Sequence, residues 1–215
     1  NLKPCYPLTI KEIYGNINIP TYKISHRSLK NSNYLILYDY CNKNPTQDDI
    51  LDKLNPDIKK ILKDLFIKTD DMGKACAKLW TGLQYHKNIN ISLITDNGGL
   101  LNHWMPFIRT LNNYLLTYQI KYQTYVRRKS HMKICDTEHI KEGESYRIKM
   151  YCATSKNVWS EFPEGVGGDY VHWVFKIPPN CFQACDLSKV SIINNEDEIL
   201  FVPYTPIIIR IKEYE

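Results

Sequence analysis

Three acidic residues near the C-terminus have types and a spacing suited to chemistry: Glu196, Asp197 and Glu198. They precede the apolar run 199–202, which Pro203 closes and which is typical of a buried strand. Because side chains alternate along an extended chain, the two glutamates point to one face and Asp197 to the other. Two carboxylates held this close disfavour each other's ionisation, and such costly pairs concentrate at functional sites. An acidic, solvated turn ahead of a strand is the alternative interpretation, and the pair alone leaves both open.

The composition is that of an ordinary soluble globular protein. The chain has 215 residues, 43% of them hydrophobic and 24% charged, with a net charge of +5, which allows one large domain with a substantial core. The lysines are scattered rather than grouped, so no nucleic-acid partner is expected. No apolar run approaches the roughly 18 residues of a membrane-spanning helix, so no membrane span is predicted.

The cysteines and the N-terminus leave the cellular compartment open. Seven cysteines are more than a cytosolic protein usually carries and fewer than a disulfide scaffold needs, and the odd number leaves at least one thiol free. Cys181 and Cys185 do not have the spacing of a zinc site, so no metal is predicted. The first residue is Asn1, so the chain could be a mature form or an excised domain.

The elements that must position the acidic residues fall into two halves. Apolar residues at three- and four-residue spacing predict helices over 47–69, interrupted at Pro56, over 70–85, and after Gly98–Gly99. Before them, short strands are expected at 22–24 and 34–38. After Tyr118 the pattern becomes extended, and strands are predicted at 123–127, 145–152, 172–177, 198–203 and 207–211. Helices followed by strands indicate an α+β fold, and the absence of a linker favours a single domain with a mainly helical part, 1–118, and a β-rich core, 119–215.

Three segments of the β-rich half resemble the R-S-E class of mono-ADP-ribosyltransferases, which includes clostridial-type toxins and arginine-specific vertebrate ectoenzymes. Their pattern is an arginine ending a strand, an aromatic-x-Ser-Thr-Ser strand, and a Glu-x-Glu before a strand with Leu and Pro. The matching segments here are 125–128 (Tyr-Val-Arg-Arg), 151–155 (Tyr-Cys-Ala-Thr-Ser) and 196–200 (Glu-Asp-Glu-Ile-Leu), in the same order. The resemblance implies helices packed on a mixed β-sandwich core of the ADP-ribosyltransferase type.

The resemblance also implies NAD as substrate and assigns roles to residues. Arg127 would hold the NAD pyrophosphate, for which a bidentate guanidinium is well suited. The neighbouring Arg128 stands where the family usually has a small residue. Glu198 would be the catalytic glutamate that stabilises the oxocarbenium-like ribose. Glu196 would orient and partly deprotonate the acceptor, and a glutamate at that position favours arginine.

Further NAD contacts follow from the same resemblance, with one departure. Tyr151, Thr154, Ser155 and Phe162 would line the NAD site, with Trp159 as an alternative to Phe162 in a glycine-rich loop. The family's first serine of Ser-Thr-Ser is Ala153 here, which is expected to remove a contact that orients Glu198 and to slow the chemistry. The stretch 186–195 would meet the acceptor protein.

Three functions are compatible with these residues. The preferred one is an NAD-dependent protein-arginine ADP-ribosyltransferase, acting as a monomer on an unidentified acceptor protein. It would be secreted or delivered into a host cell, with a cytoplasmic location as the alternative. The second is an NAD glycohydrolase on the same scaffold, in which water replaces the acceptor. The third is a catalytically degenerate binding module, which Ala153 and Arg128 favour.

Overall fold

The computed structural model describes residues 47–82, 85–95, 97–131, 134–138, 140–157, 170–193 and 197–213. The chain forms two compact units, with a boundary between Thr117 and Tyr118. Of the described residues, the helical unit holds 47–117 and 190–193, and the β-rich unit holds the others. The strands predicted at 22–24 and 34–38 lie outside the described residues.

The helices of the first unit are α1 (Gln47–Lys53), α2 (Pro56–Thr69), α3 (Met72–Thr81), α4 (His86–Thr95) and α5 (Gly98–Thr117). The predicted interruption near Pro56 is confirmed, because Asn55 caps α2 by accepting a hydrogen bond from the Ile58 N–H at 2.9 Å. Asp71 caps α3 in the same way through the Lys74 N–H at 2.9 Å. The predicted helix after Gly98 is also confirmed.

The predicted C-terminal end of the second helix was wrong. It stops at Thr81 rather than near Tyr85, because Gly82 is extended and its N–H bonds back to the Leu79 carbonyl. The separate helix α4 was not predicted. Its buried side chains are Ile89, Ser92 and Leu93, too few apolar residues to give a clear helical period.

The second unit contains β1 (Gln119–Ile120), β2 (Thr124–His131), the short helix α6 (Ile134–Thr137), β3 (Ser145–Ile148), β4 (Cys152–Ser155), β5 (Tyr170–Ile177), β6 (Cys181–Asp186), β7 (Glu198–Phe201) and β8 (Thr205–Ile208). Six strands form one sheet in the order β1-β6-β7-β4-β2-β5, and β3 pairs with β8. Each strand pairing among the described residues is antiparallel. The predicted α+β class is confirmed.

One strand prediction is wrong, and one strand was not predicted. The segment 145–152 is not one strand, because β3 and β4 belong to different sheets and the chain passes between them at 149–151. Strand β6 was not predicted at all. Its sequence, Cys-Phe-Gln-Ala-Cys-Asp, lacks β-branched residues and so has a low strand propensity. Pairing with β1 and β7 stabilises the extended conformation instead.

A buried apolar cluster covers one face of the six-stranded sheet. Its members come from six strands and are Ile120, Val126, Cys152, Ile177, Ala184, Ile199 and Phe201. Strand β7 is central and buried along its whole length. Its first residue therefore lies in one of the most constrained parts of the unit. No helix of the described residues has the length and apolar character to cross a bilayer.

Candidate active site

The sheet brings Arg127, Ser155 and Glu198 into one row. Arg127 on β2 lies opposite Ser155 on β4, and Ser155 lies opposite Glu198 on β7. Directly paired residues of neighbouring strands project from the same face, and strands lie about 4.8 Å apart. Residues that are far apart in sequence thus present a cation, a hydroxyl and a carboxylate side by side on the face opposite the apolar cluster.

Glu198 is held firmly at the start of β7. Only 5% of its surface is exposed. Its carbonyl accepts a hydrogen bond from the Leu187 N–H at 2.9 Å, and the carbonyl of the preceding Asp197 accepts one from the Lys156 N–H at 3.1 Å. The backbone that carries the carboxylate is therefore bonded to both neighbouring strand ends.

Ser155, rather than residue 153, occupies the position opposite Glu198. Ala153 lies on the same face but opposite Leu200, two residues further along β7. The Ser155 Oγ accepts a hydrogen bond from the Asn157 N–H at 3.0 Å. The chain therefore has a hydroxyl in register with Glu198 although it has alanine at position 153.

The two adjacent arginines serve opposite faces of the sheet. Arg128 donates from Nη1 to the Ala153 carbonyl at 2.7 Å. Burial raises the pKa of the Cys152 thiol to about 11, and the nearby Arg128 charge partly offsets that rise. Because Cys152 belongs to the apolar cluster, Arg128 is on that side. Arg127 is half-buried on the other side, opposite Val174.

Two other predicted NAD-binding residues do not join the row. Thr154 is buried on the opposite face, where its hydroxyl donates to the Ile199 carbonyl at 2.7 Å. Tyr151 has no exposed surface and is among the largest fully buried side chains. Both side chains are buried, and their contacts with NAD stay predictions. Glu196 and Phe162, and the alternative Trp159, lie outside the described residues.

Lys156, the residue after Ser155, forms an ion pair with Asp186 that the sequence did not indicate. Lys156 Nζ and Asp186 Oδ2 lie 2.5 Å apart. The Asp186 carboxylate also accepts hydrogen bonds from the Ser188 N–H at 3.0 Å and the Ser188 hydroxyl at 2.6 Å. The Tyr122 hydroxyl lies 3.4 Å from Asp186 Oδ2. A search for lysines next to the Ala-Thr-Ser segment, 153–155, could have found Lys156, but Asp186 belongs to the unpredicted β6.

The thiol of Cys185 is a second feature missed in the sequence. Cys185 pairs with Leu200 on the face that carries Glu198 and is 1% exposed. Burial, followed by the charges of Asp186 and Glu198, raises its pKa to about 12. A thiol with this pKa stays protonated at neutral pH, so it acts here as a packing group rather than a nucleophile.

The predicted acceptor stretch, 186–195, is divided between the units. Its described residues 190–193 belong to the helical unit, where the Ile192 N–H donates to the Thr81 hydroxyl at 3.0 Å. Val190 is buried and the Ile192 side chain is 52% exposed. Val190 is therefore a core residue, whereas a contact of Ile192 with an acceptor protein stays a prediction.

No protein-family model matches the chain, and no curated protein matches it. Solved structures do. The Vis toxin, an ADP-ribosyltransferase from Vibrio splendidus, is 14% identical with a TM-score of 0.51, and the match covers 82% of this chain and 84% of that one. Another structure of the same toxin, in complex with agmatine, gives a TM-score of 0.51 at 16% identity over 80% of this chain and 82% of that one.

Two further solved structures match the chain. The eukaryotic mono-ADP-ribosyltransferase ART2.2, in a mutant form in complex with NADH, has a TM-score of 0.55 and 14% identity over 86% of this chain and 81% of that one. The type III effector XopAI from Xanthomonas axonopodis pv. citri has a TM-score of 0.54 and 17% identity, and the match covers 74% of this chain and 68% of that one. The chain has the fold of the ADP-ribosyltransferases.

Proposed function

We propose that this protein transfers ADP-ribose from NAD to a protein acceptor, with an arginine side chain as the group modified. The observation that carries the proposal is the row Arg127, Ser155 and Glu198 across three adjacent strands. These are the residue types of the R-S-E pattern, which supports assigning the chain to that class. The ADP-ribosyltransferase fold of the structural neighbours supports the same conclusion.

NAD as the substrate is supported by the charge on the row's exposed end. Lys129 and Lys176 lie on the same face of β2 and β5 as Arg127, since Tyr125 pairs with Lys176 and Lys129 with His172. A guanidinium flanked by ammonium groups suits a pyrophosphate, with Arg127 as the bidentate partner. The neighbour ART2.2 is in complex with NADH.

In the proposed reaction, the bond between nicotinamide and the ribose breaks and nicotinamide leaves. The resulting ribose cation is stabilised by the Glu198 carboxylate, which the sheet holds in place before reaction, so little reorganisation is needed. Ser155 orients that carboxylate. A guanidine nitrogen of the acceptor then bonds to the ribose carbon and loses a proton, for which Glu196 is the proposed acceptor.

Arginine as the acceptor is supported by the Glu196-x-Glu198 spacing and by a neighbour. A carboxylate can grip a guanidinium through two parallel hydrogen bonds. The Vis toxin, with which the fold is shared, has been crystallised with agmatine, a small guanidine compound. We further infer action as a monomeric protein that is secreted or delivered into a host cell, on the ground that structural neighbours are a toxin and a type III effector.

Labelled NAD with agmatine, or with buffer alone, tests the function. Wild type should label agmatine and release nicotinamide, and Glu198→Gln should lower the rate by roughly a thousandfold, the cost of losing a main transition-state stabiliser. Glu138→Gln, which changes an exposed glutamate of the same unit, is the matched control and should keep full activity.

Other outcomes point elsewhere. Nicotinamide release without labelled agmatine, lost in Glu198→Gln, would mean a glycohydrolase or a different acceptor residue. Folded wild-type protein without turnover in any lane would contradict the transferase proposal and leave the degenerate binding module.

A further inference from the structure

The ion pair between Lys156 and Asp186 joins two strands that do not pair with each other. Lys156 directly follows β4 and Asp186 is the last residue of β6, while β7 lies between these strands in the sheet. Asp186 lies opposite Ile199 and so projects from the face away from Glu198. The pair therefore crosses the beginning of β7 on the side opposite the row of Arg127, Ser155 and Glu198.

Two backbone hydrogen bonds at the start of β7 adjoin the ion pair. Strand β7 starts at Glu198, and its first carbonyl bonds to the Leu187 N–H. The Asp197 carbonyl bonds to the Lys156 N–H. Both bonds use residues adjacent to the ion pair, Leu187 after Asp186 and Lys156 itself. If the ion pair opens, Leu187 and Lys156 are held less firmly, and the two backbone hydrogen bonds that they donate to Glu198 and Asp197 weaken.

The pair is better fixed than a typical surface salt bridge. Both side chains are only 28% exposed. Asp186 holds two further hydrogen bonds from Ser188, and the Lys156 ammonium lies 5.8 Å from the centre of the Tyr122 ring. Networks of this kind are worth more than an isolated exposed pair, because each partner has already lost its rotamer freedom.

We propose that Lys156 and Asp186 are positioning residues that fix Glu198 and Ser155 relative to each other by clamping the ends of β4 and β6 across β7. This inference rests on the proposed function for its kinetic consequence, but its structural consequence is independent of it. The positioning role requires no contact of either side chain with NAD or the acceptor.

The kinetic test compares Lys156→Met, Asp186→Asn and the double variant with wild type, using agmatine and labelled NAD. Each single variant should lower kcat roughly tenfold, less than the roughly hundredfold cost of a full 1 Å displacement, while the KM for NAD stays within about twofold. The double variant should be no slower than the slower single variant, because the second substitution removes nothing further. The swapped pair, Lys156→Asp with Asp186→Lys, should recover part of the rate.

A matched control is available in the helical unit. Lys59→Met breaks the ion pair between Lys59 and Asp52, whose nitrogen and oxygen lie 3.1 Å apart, and should leave kcat unchanged. A kcat within twofold of wild type in the variants of the clamp, or strictly additive effects in the double variant, would overturn the proposal.

Amide hydrogen exchange gives a measurement that needs no turnover. The Leu187 and Lys156 amides should exchange about tenfold faster in Lys156→Met, while the Ile209 amide, bonded to the Glu144 carbonyl at 3.1 Å, keeps its rate. If wild type has no transferase activity, the proposed function fails, and amide exchange alone tests whether Lys156 and Asp186 fix the ends of β4 and β6. Unchanged exchange at Leu187 and Lys156 would overturn it.

Discussion

At the scale of single residues, the neighbouring arginines of β2 show how one position in a strand decides a role. The side chain of Arg127 shares a face with Ser155 and Glu198, whereas Arg128 bonds to the Ala153 carbonyl on the other face. Chemically the two side chains are identical. Their registers, and not their types, separate a proposed substrate contact from a structural one.

Lysine substitutions at the two positions should therefore have different effects. Arg127→Lys should raise the KM for NAD roughly tenfold or more, because an ammonium cannot form the paired hydrogen bonds to a pyrophosphate. Arg128→Lys should leave that KM nearly unchanged and reduce stability by about 1 kcal/mol through its hydrogen bond. Initial rates across NAD concentrations and thermal unfolding measure both, and the reverse pattern would transfer the pyrophosphate role to Arg128.

Ser155 and Ala153 form a second matched pair. Ser155→Ala should lower kcat about five- to tenfold, the effect of losing one hydrogen bond of about 1 kcal/mol to a group in the site. Ala153→Ser should change kcat little, since residue 153 lies opposite Leu200 and not opposite Glu198. Rates under saturating NAD distinguish the two, and a rate gain in Ala153→Ser would instead restore the importance of that position.

At the scale of elements, strand pairing supplied what local patterns lacked. The helices α2 and α3 start directly after Asn55 and Asp71, whose side chains cap them. By contrast, β6 has little strand propensity and exists through its pairing with β1 and β7. It is also the element that carries Asp186 and Cys185, so missing it concealed the partner of Lys156 and a thiol on the face of Glu198.

The ion pair that links β4 to β6 should give the β-rich unit a defined acid sensitivity. Burial alone would raise the pKa of Asp186, but hydrogen bonds from Lys156 and Ser188, with the Lys156 charge, lower it below the ordinary 3.8. A carboxyl with a lowered pKa stabilises the folded state above its unfolded pKa, and this contribution disappears as the pH falls through the folded value.

Asp186→Asn should accordingly cost about 1 kcal/mol of unfolding free energy between pH 5 and about pH 9, and progressively less below about pH 4. Burial lowers the pKa of Lys156, but its interactions with Asp186 and Tyr122 raise that pKa above the ordinary 10.5. The contribution of Lys156 to stability therefore persists until the pH rises beyond 10.5. Urea unfolding at several pH values measures the difference. A difference that stays constant down to pH 2.5 would contradict this account.

At the scale of the whole molecule, the free thiols report on each unit separately. Cys76 is buried in the helical unit, and Cys152 and Cys185 are buried in the β-rich unit, whereas Cys135 is exposed. Burial raises the pKa of all three buried thiols, to about 11 for Cys152 and about 12 for Cys185. The thiolate is the reactive form, so these thiols are protected twice, by access and by protonation.

A thiol-reactive label at pH 8, mapped by mass spectrometry, should modify Cys135 within minutes and leave Cys76, Cys152 and Cys185 unmodified in the native state. In increasing denaturant, Cys152 and Cys185 should become reactive together, because one cooperative unit contains both. Cys76 should follow the unfolding of the helical unit as measured by circular dichroism. Labelling of Cys185 well before Cys152 would indicate local opening around Glu198 instead.

The sequence by itself determined the α+β class, most helices, and the three segments that supply Arg127, Ser155 and Glu198. Those features depend on local periodicity, caps and residue types, which are written along the chain. Register was decided only in the tertiary structure, because a shift of one residue moves a side chain to the other face at little local cost. That register places Ser155 opposite Glu198, moves Thr154 to the apolar face, and joins Lys156 to Asp186 across thirty residues of sequence.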